Sequence, residues 1–89
     1  MSDRASSYEE SLMILTKLGN YDIFANEFER LKFFGFININ HRDTNGNTIL
    51  HHASMNGNDR IVELLLDNGA DESIKNNEGK TPSDLASNG

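Results

Sequence analysis

The sequence predicts an all-α fold, a helical stack of about two and a half helix–turn–helix units with β-turn or loop fingers between them and an atypical N-terminal unit. Three observations predict it. A tight-turn dipeptide, Asn45-Gly46, leads into two segments with apolar residues at helical spacing. The second segment carries an apolar face too wide for one helical pair to bury, so it needs a similar neighbour. Such a neighbour follows 33 positions later, where Asp43, Gly46, Thr48 and Ala53 recur as Asn76, Gly79, Thr81 and Ala86.

The central unit is the most regular part of the chain. Thr48 can cap a short helix that Gly57 ends, and Asn58 or Asp59 can cap a second helix. Gly69 then provides the left-handed residue that commonly follows a helix. The apolar residues that predict a nearly complete core face on the second helix are Ile61, Val62, Leu64, Leu65 and Leu66.

This unit resembles an ankyrin repeat. The family's helix-entry motif, Thr-Pro-Leu-His-x-Ala, corresponds to Thr48-Ile49-Leu50-His51-His52-Ala53 and departs from it at Ile49, where the family has proline. A partial second copy is Thr81-Pro82-Ser83-Asp84-Leu85-Ala86, with Ser83 and Asp84 in place of Leu and His. The resemblance covers about residues 36–89 well and the first third of the chain poorly.

The N-terminal third predicts two helices that resemble an ankyrin pair. Ser7 and Glu10 fit a capping box, and the first helix is expected to stop at Gly19. The second helix, about 22–34, carries a stripe of Phe24, Phe28 and Leu31, with Ile23, Phe33 and Phe34 beside it. We interpret the stripe as core, and a partner-binding patch is the alternative. Gly19 precedes Gly57 by 38 positions, five more than the repeat period, so we expect a longer second helix or a bulge at its end.

Two further segments complete the pattern. Gly35 lies one residue before the position equivalent to Gly69, which predicts that the second helix ends one residue early. Residues 37–43 are expected to form an extended connector rather than a β-strand, because the following turn leads into a helix. A helix over 82–87 is expected either to cover Ile61–Leu66 as a lid or to continue into further chain.

We expect residues 1–89 to form a single ankyrin-repeat domain. It would consist of an atypical helical pair over 7–40, a full repeat over 43–75 and a partial capping repeat over 76–89. Stacks of this family usually need about three units. The short array therefore implies specialised caps, self-association, or a fragment of a longer array.

Composition bounds the functional classes. The chain has 14 acidic and 8 basic residues, a formal net charge of −6, and basic residues that are scattered along the sequence. Such a surface repels phosphate backbones and anionic membranes, so we expect a protein partner with basic character and neither nucleic acid nor membrane. The chain has no cysteine and no apolar run of the roughly 20 residues that a membrane span needs. We expect a cytoplasmic or nuclear protein.

The residues do not suggest catalysis, a cofactor or a metal. His51 and His52 are adjacent and diverge on a helix, while Asp59, Glu63 and Asp67 follow one helix edge without converging. The resemblance implies that His51 hydrogen-bonds the turn and neighbouring backbone, and that His52 faces a concave groove.

The resemblance also implies where a partner would bind. Turn tips and the exposed face of the first helix hold partners in this family. The corresponding residues are Thr44, Asn45 and Asn47, then Asn77, Glu78 and Lys80 at the tips, and His52, Met55 and Asn56 on the helix. We therefore expect a non-catalytic protein–protein interaction module that regulates, scaffolds or chaperones a partner. The alternative is a structural, self-assembling terminal part of a longer array.

Overall fold

A computed structural model describes residues 7–86, and these residues contain helices and no strand. The helices are α1 (Tyr8–Leu18), α2 (Tyr21–Phe33), α3 (Ile49–Met55), α4 (Asp59–Asp67) and α5 (Pro82–Ala86). The all-α prediction is confirmed. The segment around Ile37 and Ile39 is a connector, as expected.

The helices lie in two rows. Helices α1, α3 and α5 are neighbours in one row, while α2 and α4 are neighbours in the other. Each of the first two units joins the rows, because α1 packs on α2 and α3 packs on α4. Helix α3 is therefore the central element, in contact with α1, α4 and α5.

One hydrophobic core runs between the rows. It receives side chains from the first four helices, with half-buried residues of the connectors packed against it. Its buried members are Leu12, Met13, Phe24, Phe28, Leu31, Ile49, Leu50, Ala53, Ile61 and Leu65.

The two N-terminal helices have the predicted limits to within one residue. Ser7 Oγ accepts a hydrogen bond from the backbone N–H of Glu10 at 3.1 Å, and Gly19 follows α1 with φ 69°. Helix α2 has 13 residues against 9 in α4, which accounts for most of the five extra positions. Helix α2 ends at Phe33, one residue before the position equivalent to the end of α4 at Asp67, and Gly35 follows with φ 75°. The expected early end of α2 is therefore confirmed.

The phenylalanines of α2 divide between core and surface. Phe24 and Phe28 are buried and their rings stack at a centroid distance of 6.0 Å. Phe33 and Phe34, at the end of the helix, are 82% and 60% exposed. The core interpretation is confirmed for the stripe, while the aromatic residues beyond it lie on the surface.

Helix α4 buries fewer side chains than the sequence predicts. Ile61 and Leu65 are fully buried, whereas Val62 and Leu64 are half-buried and Leu66 is exposed. The prediction of a nearly complete core face was wrong because, within residues 7–86, α4 packs mainly against α2 and α3. Those two neighbours cover only part of its circumference.

The C-terminal helix α5 packs against α3. Thr81 caps it: the hydroxyl accepts from the N–H of Asp84 at 3.2 Å, and the Asp84 carboxylate accepts from the N–H of Thr81 at 3.0 Å. A cleft remains between α5 and α4, lined in part by Leu66 and Pro82. Helix α5 therefore does not cover Ile61–Leu66, so the lid, one of the two alternatives given for this helix, was wrong. Ser87 lies outside the described residues. The division into three units at 40 and 76 stays a prediction.

Candidate protein-binding surface

A tight finger precedes α3, and one side chain holds it. The Asp43 carboxylate accepts hydrogen bonds at 2.9 Å from the backbone N–H groups of Asn45 and Asn47. The backbone closes the same loop, because the Gly46 N–H donates to the Asp43 carbonyl and the Asp43 N–H donates to the Asn47 carbonyl, both at 2.9 Å. An aspartate at the first position of such a turn stabilises it in this way.

A second finger of the same construction precedes α5. The side-chain oxygen of Asn76 accepts from the N–H groups of Glu78 and Lys80 at 2.9 and 3.0 Å. Its backbone pairs with Lys80 and Gly79 as Asp43 pairs with Asn47 and Gly46. Equivalent positions 33 residues apart therefore perform the same structural role.

The two fingers are hydrogen-bonded to each other. The Asn77 N–H donates to the Asn45 carbonyl at 3.0 Å, and the Asn77 amide donates to the Thr44 carbonyl at 2.9 Å. Below the tips, the Asn76 amide donates to the side-chain oxygen of Asn47 at 2.8 Å. These hydrogen bonds fix the distance between the two finger tips, so the tips form a row before any partner binds.

His51 connects α3 to the second finger. The Thr48 N–H donates to His51 Nδ1 at 3.1 Å, and the other ring nitrogen, Nε2, lies 2.9 Å from the Lys80 carbonyl oxygen. A carbonyl can only accept, so Nε2 carries the ring proton. Burial lowers the pKa of His51, which keeps the ring neutral in this arrangement. The predicted structural role of His51 is confirmed.

His52 lines an open cavity of about 300 Å³ between α1 and the first finger. Its Nε2 lies 2.9 Å from the Asp43 carboxylate, and both side chains are mostly covered. Burial disfavours the charged form of Asp43, but hydrogen bonds from His52, Asn47 and Asn45 outweigh it and lower its pKa. We call this space the inner cavity; its lining residues are Glu10, Met13, Ile14, Lys17, Asp43, Thr44 and His52.

The nine predicted contact residues differ in whether their side chains are free to contact a partner. Asn47 is only 9% exposed, and its side chain is bonded to Asn76. The Asn56 amide donates to the Thr16 hydroxyl at 3.0 Å, and that of Asn77 bonds the first finger. His52 lies half-buried at the inner cavity. The side chains that the structure leaves exposed without a described side-chain bond are those of Thr44, Asn45, Met55, Glu78 and Lys80.

Helix α1 adds residues that the motif comparison missed. Glu10, Ile14 and Lys17 line the inner cavity opposite His52. The offset of 38 between Gly19 and Gly57 could have found two of them, since it aligns Ile14 with His52 and Lys17 with Met55. The carboxylate of Glu10 also lies 3.9 Å from Nε2 of His41.

The part of the chain that the structure describes has neither a cluster of metal-ligating side chains nor a helix suited to a membrane. Among residues 7–86, no three histidine or carboxylate side chains lie close enough to hold a metal ion. No helix in the same range has the length and hydropathy needed to cross a membrane.

Two rows of paired helices, joined through fingers of identical construction at a fixed period, define a helical-repeat protein. The family described as "Ankyrin repeats (many copies)" matches residues 31–86, more than half of the chain. The chain therefore belongs to the ankyrin-repeat family, as the resemblance indicated. Ankyrin repeats are generally protein–protein interaction modules and are typically not catalytic.

The chain is similar to short stretches of several much longer proteins. The putative ankyrin repeat protein L271 of Acanthamoeba polyphaga mimivirus is 39% identical over 84% of this chain and 10% of its own length. The transcription factor MBP1 of Kluyveromyces lactis is 45% identical over 55% of this chain and 6% of its own. Alpha-latroinsectotoxin-Lt1a of Latrodectus tredecimguttatus is 51% identical over 55% of this chain and 4% of its own. The chain thus spans a tenth or less of these relatives.

Proposed function

We propose that this chain is a non-catalytic module that binds a protein partner through its finger tips and the inner cavity, and thereby regulates, scaffolds or chaperones that partner. The observation that carries the proposal is the row of exposed tip side chains beside an open cavity, held by hydrogen bonds between the two fingers. A preformed surface loses little conformational freedom on binding, which favours affinity. We propose the cytoplasm or the nucleus as its location.

The proposed partner presents a basic segment. The chain carries a net charge of −6, so it attracts positively charged proteins at long range. Within the surface, Glu10 and Asp43 line the inner cavity and Glu78 is an exposed tip residue. Lys17 and Lys80 place positive charges near these carboxylates. A partner must therefore place its basic residues against the carboxylates and away from the two lysines, which makes the surface selective.

A charge-reversal pair tests the location. After partner capture from cells and purification, calorimetry would compare Glu78→Arg with Glu63→Arg, an equal charge change on the exposed side of α4. We expect Glu78→Arg to weaken binding by at least about tenfold, or 1.4 kcal/mol, and the control to have little effect. We also expect the affinity to fall as salt increases. Binding that is lost only in the α4 variant, or that is independent of salt, contradicts the proposal.

A second candidate function is self-assembly through an exposed apolar end, the alternative that the sequence left open. One observation favours it: Phe33 and Phe34 at the end of α2 are exposed. This surface is separate from the first, because the cavity beside Phe34 and the inner cavity have no lining residue in common.

A further inference from the structure

Four aromatic side chains form one continuous cluster on the surface at the end of α2. The rings of Tyr8 and Phe36 stack at 5.4 Å, those of Phe36 and Phe34 stack at 5.8 Å, and Phe33 meets Phe34 edge to face at 5.1 Å. Tyr8 and Phe36 are each 52% exposed, less than Phe33 and Phe34. We call these four residues the aromatic cluster.

The C-terminal end of α2 does not require an aromatic residue at its C-cap. Helices α2 and α4 end in the same way: the N–H of Phe36 donates to the Leu31 carbonyl, as the N–H of Ala70 donates to the Leu65 carbonyl. The C-cap residue is Phe34 in α2 but the polar Asn68 in α4. Apolar side chains at such positions remain in water in a monomer, which suggests that another surface covers them.

The exposed area of the aromatic cluster suits a weak specific interface. An aromatic side chain buries roughly 200 Å², so the exposed fractions together leave about 500 Å² available on one copy. Two copies in contact would remove at most about 1,000 Å² from water, which is the low end of specific protein interfaces. The area is therefore sufficient for a dimer in dynamic equilibrium with monomer.

The charges beside the aromatic cluster favour a second copy as the partner. Arg30 lies 3.0 Å from Glu27, and Lys32 lies 3.9 Å from Glu29, so this rim is locally neutral. The whole chain has a net charge of −6, so two copies repel each other. The repulsion is weaker when they meet at this neutral rim than when they meet at an acidic part of the surface. A basic partner or an anionic surface would gain nothing from a neutral rim.

We propose that the aromatic cluster is the contact surface of a symmetric homodimer, in which a two-fold axis brings the four rings of one copy onto those of the other. Symmetry places the acidic and basic rim residues of one copy near those of the second, so each Arg30 can pair with a carboxylate across the interface. The proposal specifies the partner and symmetry for the second candidate function and does not depend on partner binding at the inner cavity.

Sedimentation equilibrium tests the proposal. We expect the chain to pass from monomer to dimer with rising concentration and to form no larger species, because a two-fold interface closes on itself. Phe34→Ser is expected to weaken the dimer at least about tenfold. Leu18→Ser, a control at a residue 65% exposed and outside the aromatic cluster, is expected to have no effect. Circular dichroism would verify that both variants fold.

A charge exchange tests the symmetry. Arg30→Glu and Glu27→Arg each give two copies a rim of like charge, so each variant alone is expected to dimerise at least about tenfold more weakly. An equimolar mixture is expected to recover dimer, because each copy then meets opposite charge. Partner binding at the inner cavity should be the same in both variants, which separates this proposal from the first.

Three results would overturn the homodimer. One is a monomer mass at all concentrations up to about 1 mM, where even a dissociation constant of that size would be detected. Another is growth beyond the dimer, which indicates a head-to-tail contact. The third is association that survives Phe34→Ser. If the aromatic cluster instead binds a different protein, the isolated chain would have a monomer mass at all concentrations, and the homodimer would be excluded.

Discussion

Replacement of Gly46 by alanine should separate the two fingers. Gly46 has φ 80°, and a Cβ at this position would lie 2.5 Å from the side-chain oxygen of Asn77 and 2.8 Å from its backbone nitrogen. Backbone nitrogen cannot rotate away as a side chain can. Asn77 must therefore move, together with the hydrogen bonds that it donates to Asn45 and Thr44.

The magnitude follows from two contributions. A non-glycine residue in the left-handed conformation costs about 1 kcal/mol. Loss of the two Asn77 hydrogen bonds costs about 0.5–1 kcal/mol each, the lower part of the usual range because Asn77 is exposed. We expect Gly46→Ala to lower the free energy of unfolding by about 2–3 kcal/mol, a large part of the stability of a small domain.

Gly79 provides the matched control. It occupies the same position in the second finger with φ 77°, but a Cβ there would have no neighbour within 4 Å. Gly79→Ala should cost only the backbone contribution of about 1 kcal/mol. Urea unfolding followed by circular dichroism would measure both variants, with m-values compared to verify that the cooperativity is unchanged. Equal losses would show that the contact between Gly46 and Asn77 does not couple the fingers.

Three further predictions concern stability. Burial lowers the pKa of His51, so the unfolded chain binds a proton at this residue at a higher pH than the folded chain does. The free energy of unfolding should therefore fall as pH drops below about 6.5, by at most about 1.4 kcal/mol per pH unit. Urea titrations at several pH values would measure this. Phe28→Ala should cost about 3–5 kcal/mol in the same assay, and Phe33→Ala less than about 0.5, because only the first ring is buried. Thr16→Val should cost about 1 kcal/mol, since its hydroxyl bonds Asn56 and the Met13 carbonyl.

Each of these three has an outcome that would contradict its reasoning. A free energy of unfolding that is constant between pH 7 and 5.5 would mean that His51 takes up its proton equally well in the folded chain. Similar losses for the two phenylalanine variants would place Phe33 in the core. An unchanged stability for Thr16→Val would mean that water replaces both bonds without cost.

The sequence predicted the features that depend on local chemistry. The turn before α3 was predicted from Asn45-Gly46, because Gly46 accepts the positive φ that the turn requires. The role of Asp43 as the acceptor in this finger was found only in the structure. The cap at Thr48 was predicted in the same way, and the family resemblance implied the hydrogen bonds of His51. These interactions recur at the repeat period, so one recognised unit predicts the next.

The sequence predicted the buried stripe of α2, but not which of the other apolar residues of α2 and α4 are buried. Both Ile23 and Ile61 are the third residue of their helix, yet Ile23 is 48% exposed and Ile61 is buried. Burial at these positions depends on how each helix rotates against neighbours in the other row. Hydrophobic spacing identifies a face but cannot fix that rotation when apolar residues occupy adjacent positions.

Hydrogen bonds made by asparagine side chains restrict how the partner-binding surface can be tested and how it can evolve. Asn47, Asn56 and Asn77 were predicted as contacts, but their amides hold the fingers and helices in place. Substitution there would change stability and binding together. Variation at Thr44, Met55 and Glu78, whose side chains are exposed, can change the partner while the scaffold persists. The separation of these two sets of residues is what allows one stable fold to present different binding surfaces.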